Sequence, residues 1–221
     1  MTIQASKGYK GVGMEGMIAT WYARITRNDV ANRANVIRTI RQSLPNGGTV
    51  LEVAPGPGYL SIELAKTGSY SITGLDISKT FVDIAQAKAK EAGVTVDFRQ
   101  GNASAMPLDS SRFDFIVCRA AFKNFSDPVG AMNEMYRVLK PSGTALIIDL
   151  NPDVSSVEVN SYVKAMNMSP ISGFMTKWTF QNTLKKNAHP KQELMAFAAQ
   201  SRFGKCQIQE DGMSYNIWLR K

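Results

Sequence analysis

The chain has 221 residues, 44% of them hydrophobic and 20% charged, and a net charge of +8. That is the composition of one globular domain with a sizeable core, and no run approaches the roughly 18–20 apolar residues of a membrane span. Two cysteines without metal-ligand company, and a first stretch (Met1–Gly8) without an apolar signal core, predict a reduced, cytoplasmic setting.

Residues 14–26 and 28–43 read as helices, the second with Val30, Ala34, Ile37 and Ile40 at helical spacing. Strands are expected at 49–53, 71–75, 94–98, 113–118 and 144–149, with helices between them at 58–66, 78–92 and 128–139. Such alternation predicts an α/β fold with a doubly wound, mainly parallel sheet. Ligands then bind beyond the C-terminal ends of the strands. After Asp149 the pattern changes, and residues 151–187 scatter Met166, Met168, Phe174, Met175, Trp178 and Phe180. A helix is expected at 190–202 and an antiparallel strand pair at 205–211 and 213–220, turning at Gly212.

The most informative stretch is Thr49–Ala65. A short apolar run carrying one acid, Glu52, breaks into Pro55-Gly56-Pro57-Gly58 and resumes as an amphipathic helix. Strand, tight glycine turn and helix in that order suit a nucleoside-containing ligand. Glycine lets the backbone approach closely, and the helix N-terminus points free amides at the same place. A second apolar run, Ser71–Ile77, ends in Asp76, 20 residues after Gly56. A carboxylate there can accept both ribose hydroxyls. It can equally serve as a turn residue before Ser78.

Glu52 separates two ligand classes. A dinucleotide places a pyrophosphate on the glycine turn, and a carboxylate beside it would repel that charge. Ser61 also stands where the dinucleotide pattern has its third glycine. S-adenosylmethionine has no phosphate; its ammonium suits Glu52, directly or through water.

These motifs resemble the class I S-adenosylmethionine-dependent methyltransferases, and within them the ubiquinone/menaquinone biosynthesis C-methyltransferases. Val50–Gly58 resembles the family's first motif, with Ala54-Pro55 replacing the more common Gly-Cys. Gly74–Ser78 resembles the second and Gly101–Leu108 the third, where Asn102 stands for the usual Asp. Phe113–Pro128 and Glu134–Gly143 resemble the fourth strand with its loop and the turn into the fifth. The resemblance implies a Rossmann-like sheet closing on the antiparallel strand pair. It also implies a single domain, with a helical cap over residues 1–41 and a cap insertion at 151–187. The implied cofactor contacts are Tyr22, Glu52, Ala54, Gly56, Gly58, Asp76, Ile77, Asn102, Ala103 and Arg119. Asn102 is expected to take the adenine amine, and Tyr22 to reach the methionine end.

Chemistry is less legible. Methyl transfer from a sulfonium is an in-line displacement that positioning accelerates strongly, and a base is needed only where the acceptor loses a proton. Asn124 occupies the loop position where relatives commonly have His, and Asn is not a base at neutral pH. The chain's one histidine, His189, stands before Pro190 and is the candidate base; a histidine so placed is more often a helix-entry residue. Positioning is therefore expected to carry most of the rate.

Residues 1–41 and 177–221 each hold a balance of +5, while 42–176 hold −2. The basic flanks read as ordinary solubilising surface, and the Met and aromatic residues as core under a cap; together they also suit a small, partly apolar acceptor with a negative group. A nucleic-acid methyltransferase is the first alternative, on charge alone. The motifs for exocyclic amines and for base carbons are both missing from the sequence, which counts against it. A protein that binds the cofactor without transferring a methyl group is the second.

Overall fold

The structure, a computed structural model, describes residues 8–10, 13–155 and 187–221. Two helices come first, α1 (Gly16–Thr26) and α2 (Val30–Ser43). Strands and helices then alternate: β1 (Gly48–Val53), α3 (Tyr59–Ala65), β2 (Tyr70–Asp76), α4 (Lys79–Glu91), β3 (Asp97–Gln100) and β4 (Phe113–Arg119). A short 3-10 turn, Phe122–Asn124, leads to α5 (Pro128–Val138) and β5 (Leu139–Leu150). The described chain ends in α6 (Lys191–Gln200), β6 (Gln207–Asp211) and β7 (Ser214–Arg220).

The strands form one sheet in the order β3-β2-β1-β4-β5-β7-β6. Strands β1 to β5 run parallel, and β7 is antiparallel to both β5 and β6. This is the doubly wound, Rossmann-like sheet with a closing antiparallel pair that the sequence predicts. Its central strands read as continuous apolar runs because both faces are covered. Leu51, Val53, Ile116 and Ile147 face the core beneath α5 and α6, and Val50, Phe115, Val117 and Leu146 face a second core against α2 and α3.

Three expectations shift. Strand β3 pairs with β2 from Asp97 to Gln100 rather than over 94–98. Val94 and Val96 instead pack against the α4 core, and the Val94 amide donates to Ala89 O to close that helix. Strand β5 begins at Leu139, five residues before the expected start, but its register on β4 jumps from Leu139 to Thr144. The Pro141-Ser142-Gly143 bulge fills that gap, with Ser142 at φ 66°. On α2 the buried residues are Arg33, Val36 and Ile40, while Val30 is 56% exposed. Of the expected apolar positions, Ile40 is buried and Ile37 packs against the second core, while Val30 and Ala34 are exposed and Arg33 takes the buried place on the first turn.

Beyond the strand ends, the segment before α1 lies across the sheet. Tyr9 bridges Phe125, the Lys10 amide donates to Asn124 O, and Ser78 Oγ donates to Met14 O. Glu15 then accepts the Lys79 and Thr80 amides at the start of α4. Residues 156–186, most of the expected cap insertion, lie outside the described residues.

Candidate functional site

A cleft opens at the C-terminal ends of β1 and β4. Tyr22, Thr26, Arg33, Glu52, Ala54, Gly56, Tyr59 and Arg119 are among its lining residues. The turn after β1 builds its floor. Ala54 takes φ 56° and Gly56 φ 54°, both in the left-handed region. Ala there is strained by its Cβ, and a glycine would not be. A Cβ added at Gly56 would meet nothing within 4 Å, so that backbone faces open space. Gly58 differs, because a Cβ there would lie 2.6 Å from the Phe98 ring and 2.8 Å from Ala85. Gly58 therefore packs the start of α3 against β3 and α4 rather than lining the cleft.

Two buried carboxylates flank this turn. Asp76 ends β2; its Oδ2 accepts the Gly56 amide and its Oδ1 the Ser78 amide, both at 2.9 Å. The turn-residue role and the ligand role are thus compatible, since each oxygen keeps further acceptor capacity. Glu52 Oε2 accepts both the amide and the hydroxyl of Ser61. This explains the serine in place of a third glycine: it fixes the carboxylate rather than the helix packing. Both acids are only 5% exposed. Burial raises Glu52 to about 7 and Asp76 to about 6, against the hydrogen bonds that favour their ionised forms.

Arg119, at the end of β4, donates through Nη1 to Asp29 at 2.7 Å and pairs with it through Nη2 as well. Tyr22 packs edge-on against Phe81, and burial raises its phenol above the usual value while Arg119 opposes that shift. Beyond Asp76, Ile77 is 39% exposed beside the same strand ends. Ala103 packs against the main core. Asn102 lies apart from the cleft lining. Its Oδ1 accepts the Ser104 amide at 2.9 Å, and a Cβ on Gly8 would sit 2.6 Å from its side chain.

Several cleft or near-cleft residues carry little sequence signal. Asp29 lies 90 residues from Arg119. Arg33 bonds Glu63 and the carbonyls of Thr26 and Arg27, and its guanidinium stacks over Tyr59. A charged residue in phase with Val36 and Ile40 is the signal that could have found it. Lys123 and Asp149 form a buried pair at 3.0 Å where β4 and β5 end. His189 is not in the cleft lining; it packs against Phe122 just beyond β4 and bonds Glu193. Among the described residues no cluster of His, Cys, Asp or Glu could hold a metal ion, and no helix is long and apolar enough to cross a membrane.

The arrangement can hold a zwitterionic nucleoside. Burial leaves Glu52 uneasy as an anion without a contacting cation, so a ligand ammonium would supply the missing charge. Ribose hydroxyls can donate to Asp76, and a pyrophosphate would face both carboxylates.

Residues 51–147 match a family model described as a methyltransferase domain. A demethylmenaquinone methyltransferase of Deinococcus radiodurans is 33% identical over 109 residues, 49% of this chain and 45% of that protein. A ubiquinone/menaquinone biosynthesis C-methyltransferase of Bdellovibrio bacteriovorus is 35% identical over 137 residues, 59% and 57% of the two chains. The chain thus spans about half the length of these curated relatives. A solved structure from Methanococcus maripaludis, described as an S-adenosylmethionine-dependent methyltransferase, superposes with a TM-score of 0.75 at 22% identity, over 96% of this chain and 95% of that one.

Proposed function

We propose that this protein, whose residues 51–147 match a methyltransferase-domain model, is an S-adenosylmethionine-dependent methyltransferase of a small, partly apolar acceptor. The single observation that carries the reading is the pair of buried carboxylates, Glu52 and Asp76, on either side of the open Gly56 backbone without a salt-bridge partner among the described residues. When bound, the cofactor supplies a methyl group activated by its sulfonium. Glu52 binds the ammonium, Arg119 faces the carboxylate end, and Asp76 takes the ribose. Tyr22 covers the methionine end from α1. The usual adenine contact falls to Asn102, through the acceptor capacity left on its Oδ1 and flanked by Ile77 and Ala103. These residues hold the donor in one orientation, which is where most of the acceleration arises in an in-line transfer.

The acceptor enters from the side of the described N-terminal segment, where Tyr9, Met14 and Glu15 meet the turns beyond the strand ends. Relatives named for demethylmenaquinone make an aromatic quinol the acceptor class to try first. Carbon attack on an electrophilic methyl group needs an electron-rich ring, which the reduced form provides. Titration calorimetry tests the cofactor reading. S-adenosylmethionine and S-adenosylhomocysteine are expected to bind in the low-micromolar range; tighter binding of NAD would overturn it.

A further inference from the structure

His189 has a geometry that a helix-entry histidine does not need. Its Nδ1 lies 2.8 Å from Glu193 Oε2, in the first turn of α6. Its Nε2 is buried and has no hydrogen-bond partner among the described residues, the only such side-chain atom there. The ring is 8% exposed. Phe122 and Phe197 clamp it edge-on, at centroid distances of 6.2 and 5.1 Å and interplanar angles of 67° and 85°. Burying an unpaired polar nitrogen costs free energy. In the neutral ring a carboxylate on Nδ1 favours the proton there, and Nε2 is then the acceptor.

The location is as telling. Phe122 belongs to the turn that leaves β4 immediately after the cleft-lining Arg119 and Ala120. The Lys123 amide and Nζ bind Asp149, which ties that turn to the end of β5. His189 thus stands where β4 and β5 deliver the chain to the ligand side of the sheet.

We propose that His189 is the general base of this methyltransferase and that Glu193 is its positioning residue. The inference rests on the methyltransferase reading above and narrows its acceptor to one whose reacting atom must give up a proton, such as a phenolic O–H or an electron-rich ring C–H. The acceptor's electron pair forms the bond to the methyl carbon. The methyl–sulfur bond breaks, and its pair remains on sulfur as a neutral thioether. The acceptor's proton goes to Nε2, and Glu193 stabilises the imidazolium that forms. This is the base-and-orienter arrangement that recurs in proton-transfer sites.

His189 is the chain's only histidine, so nitrogen-15 histidine labelling reports on it alone. Proton–nitrogen correlation spectra are expected to show Nδ1 protonated and Nε2 bare, with and without S-adenosylhomocysteine. Glu193→Ala should shift the proton toward Nε2, and Glu193→Gln should retain much of the original tautomer. A wild-type ring protonated on Nε2 overturns the proposal, whatever the protein's activity. With short-chain demethylmenaquinol as the probe acceptor, His189→Gln should lower turnover by roughly 10²–10⁴. Its affinity for S-adenosylhomocysteine should not change. Glu193→Ala should lower kcat by about ten- to a hundredfold without changing KM for the donor, and Glu193→Gln should recover part of that loss. Turnover within tenfold of wild type in a folded His189→Gln protein sinks the base. Failure of the wild type to bind S-adenosylhomocysteine sinks instead the methyltransferase reading.

Discussion

Replacing Glu52 by Gln removes one buried charge at nearly constant shape, and the consequence for stability has a definite sign. Glu52 titrates at about 7 in the folded protein against an ordinary 4.5, chiefly because burial penalises the anion. At pH 8 the folded state therefore holds an ionised Glu52 at a cost of about 3 kcal/mol, at roughly 1.4 kcal/mol for each step of one in pKa. The folded state binds a proton more readily than the unfolded chain, so stability rises as pH falls. The contribution is fully present below 4.5 and lost as pH rises through about 7. Between pH 8 and pH 6 the wild-type protein should gain about 1 kcal/mol from this residue alone, or roughly 2–4 °C in Tm for a chain of this size. Asp76, raised to about 6, adds to the gain at the lower end of that window. Glu15, Asp114 and Glu134 are all shifted downward and act only at more acid pH. In Glu52→Gln the Glu52 part of the slope should vanish. The variant should also be the more stable protein at pH 8 and bind S-adenosylmethionine more weakly. Urea denaturation of the two ligand-free proteins at pH 8 and pH 6 measures this. An equal pH response in both would refute the account of Glu52 as a buried anion without a cation.

Asp76→Ala should lower cofactor affinity at least tenfold, because each lost hydrogen bond to a charged acceptor is worth roughly 1.5–3 kcal/mol; calorimetry showing unchanged affinity would leave Asp76 only its bonds to Gly56 and Ser78. Asn102→Asp should keep or slightly improve cofactor binding, since an aspartate can still accept the Ser104 amide and adds charge assistance toward the adenine amine; a tenfold loss in a binding titration would assign Asn102 another role. Ala54→Gly should be neutral or stabilising by up to about 1 kcal/mol, as relief of the left-handed strain at φ 56° is partly offset by the freer unfolded chain; a clear loss in the denaturation midpoint would show that the Ala54 methyl packs usefully.

The sheet is legible in the sequence because each strand–turn–helix unit is written within about 25 consecutive residues. Glu52, Gly56 and Asp76 fall inside two such units, and their spacing alone brings them to the same strand ends. The limits of the sequence are equally specific. Arg119 is expected at the cofactor, yet nothing local to it indicates that Asp29 reaches across to hold it. Arg33 and Glu63 are 30 residues apart, and Lys123 and Asp149 are 26 apart. Pairings at that range depend on how α2 lies on the sheet and on how the turn after β4 folds back. Hydrophobic period cannot encode either. Only the N-terminal half of the α2 face departs from its apolar spacing, for the same reason: Arg33, tied to Glu63, is buried there and Val30 is exposed. The glycine pattern assigns Gly58 to ligand approach, but its φ and the closeness of Phe98 show a packing requirement.

The treatment of buried charge separates the site from the scaffold. Arg33 is buried with Glu63 and Lys123 with Asp149. Glu52 and Asp76 are as deeply buried and carry hydrogen bonds but no salt bridge among the described residues. Hydrogen bonds from amides and a hydroxyl do not offset the loss of water around a carboxylate, which is why both acids titrate so high. A scaffold optimised only for stability would replace Glu52 with a neutral residue of similar shape. Two buried carboxylates without a salt bridge among the described residues, beside an open glycine backbone, fit a ligand that brings positive charge and hydroxyl donors. The destabilisation worked out for Glu52 and the proposed selectivity for an ammonium-bearing nucleoside then have one physical cause, read without ligand by denaturation and with ligand by calorimetry.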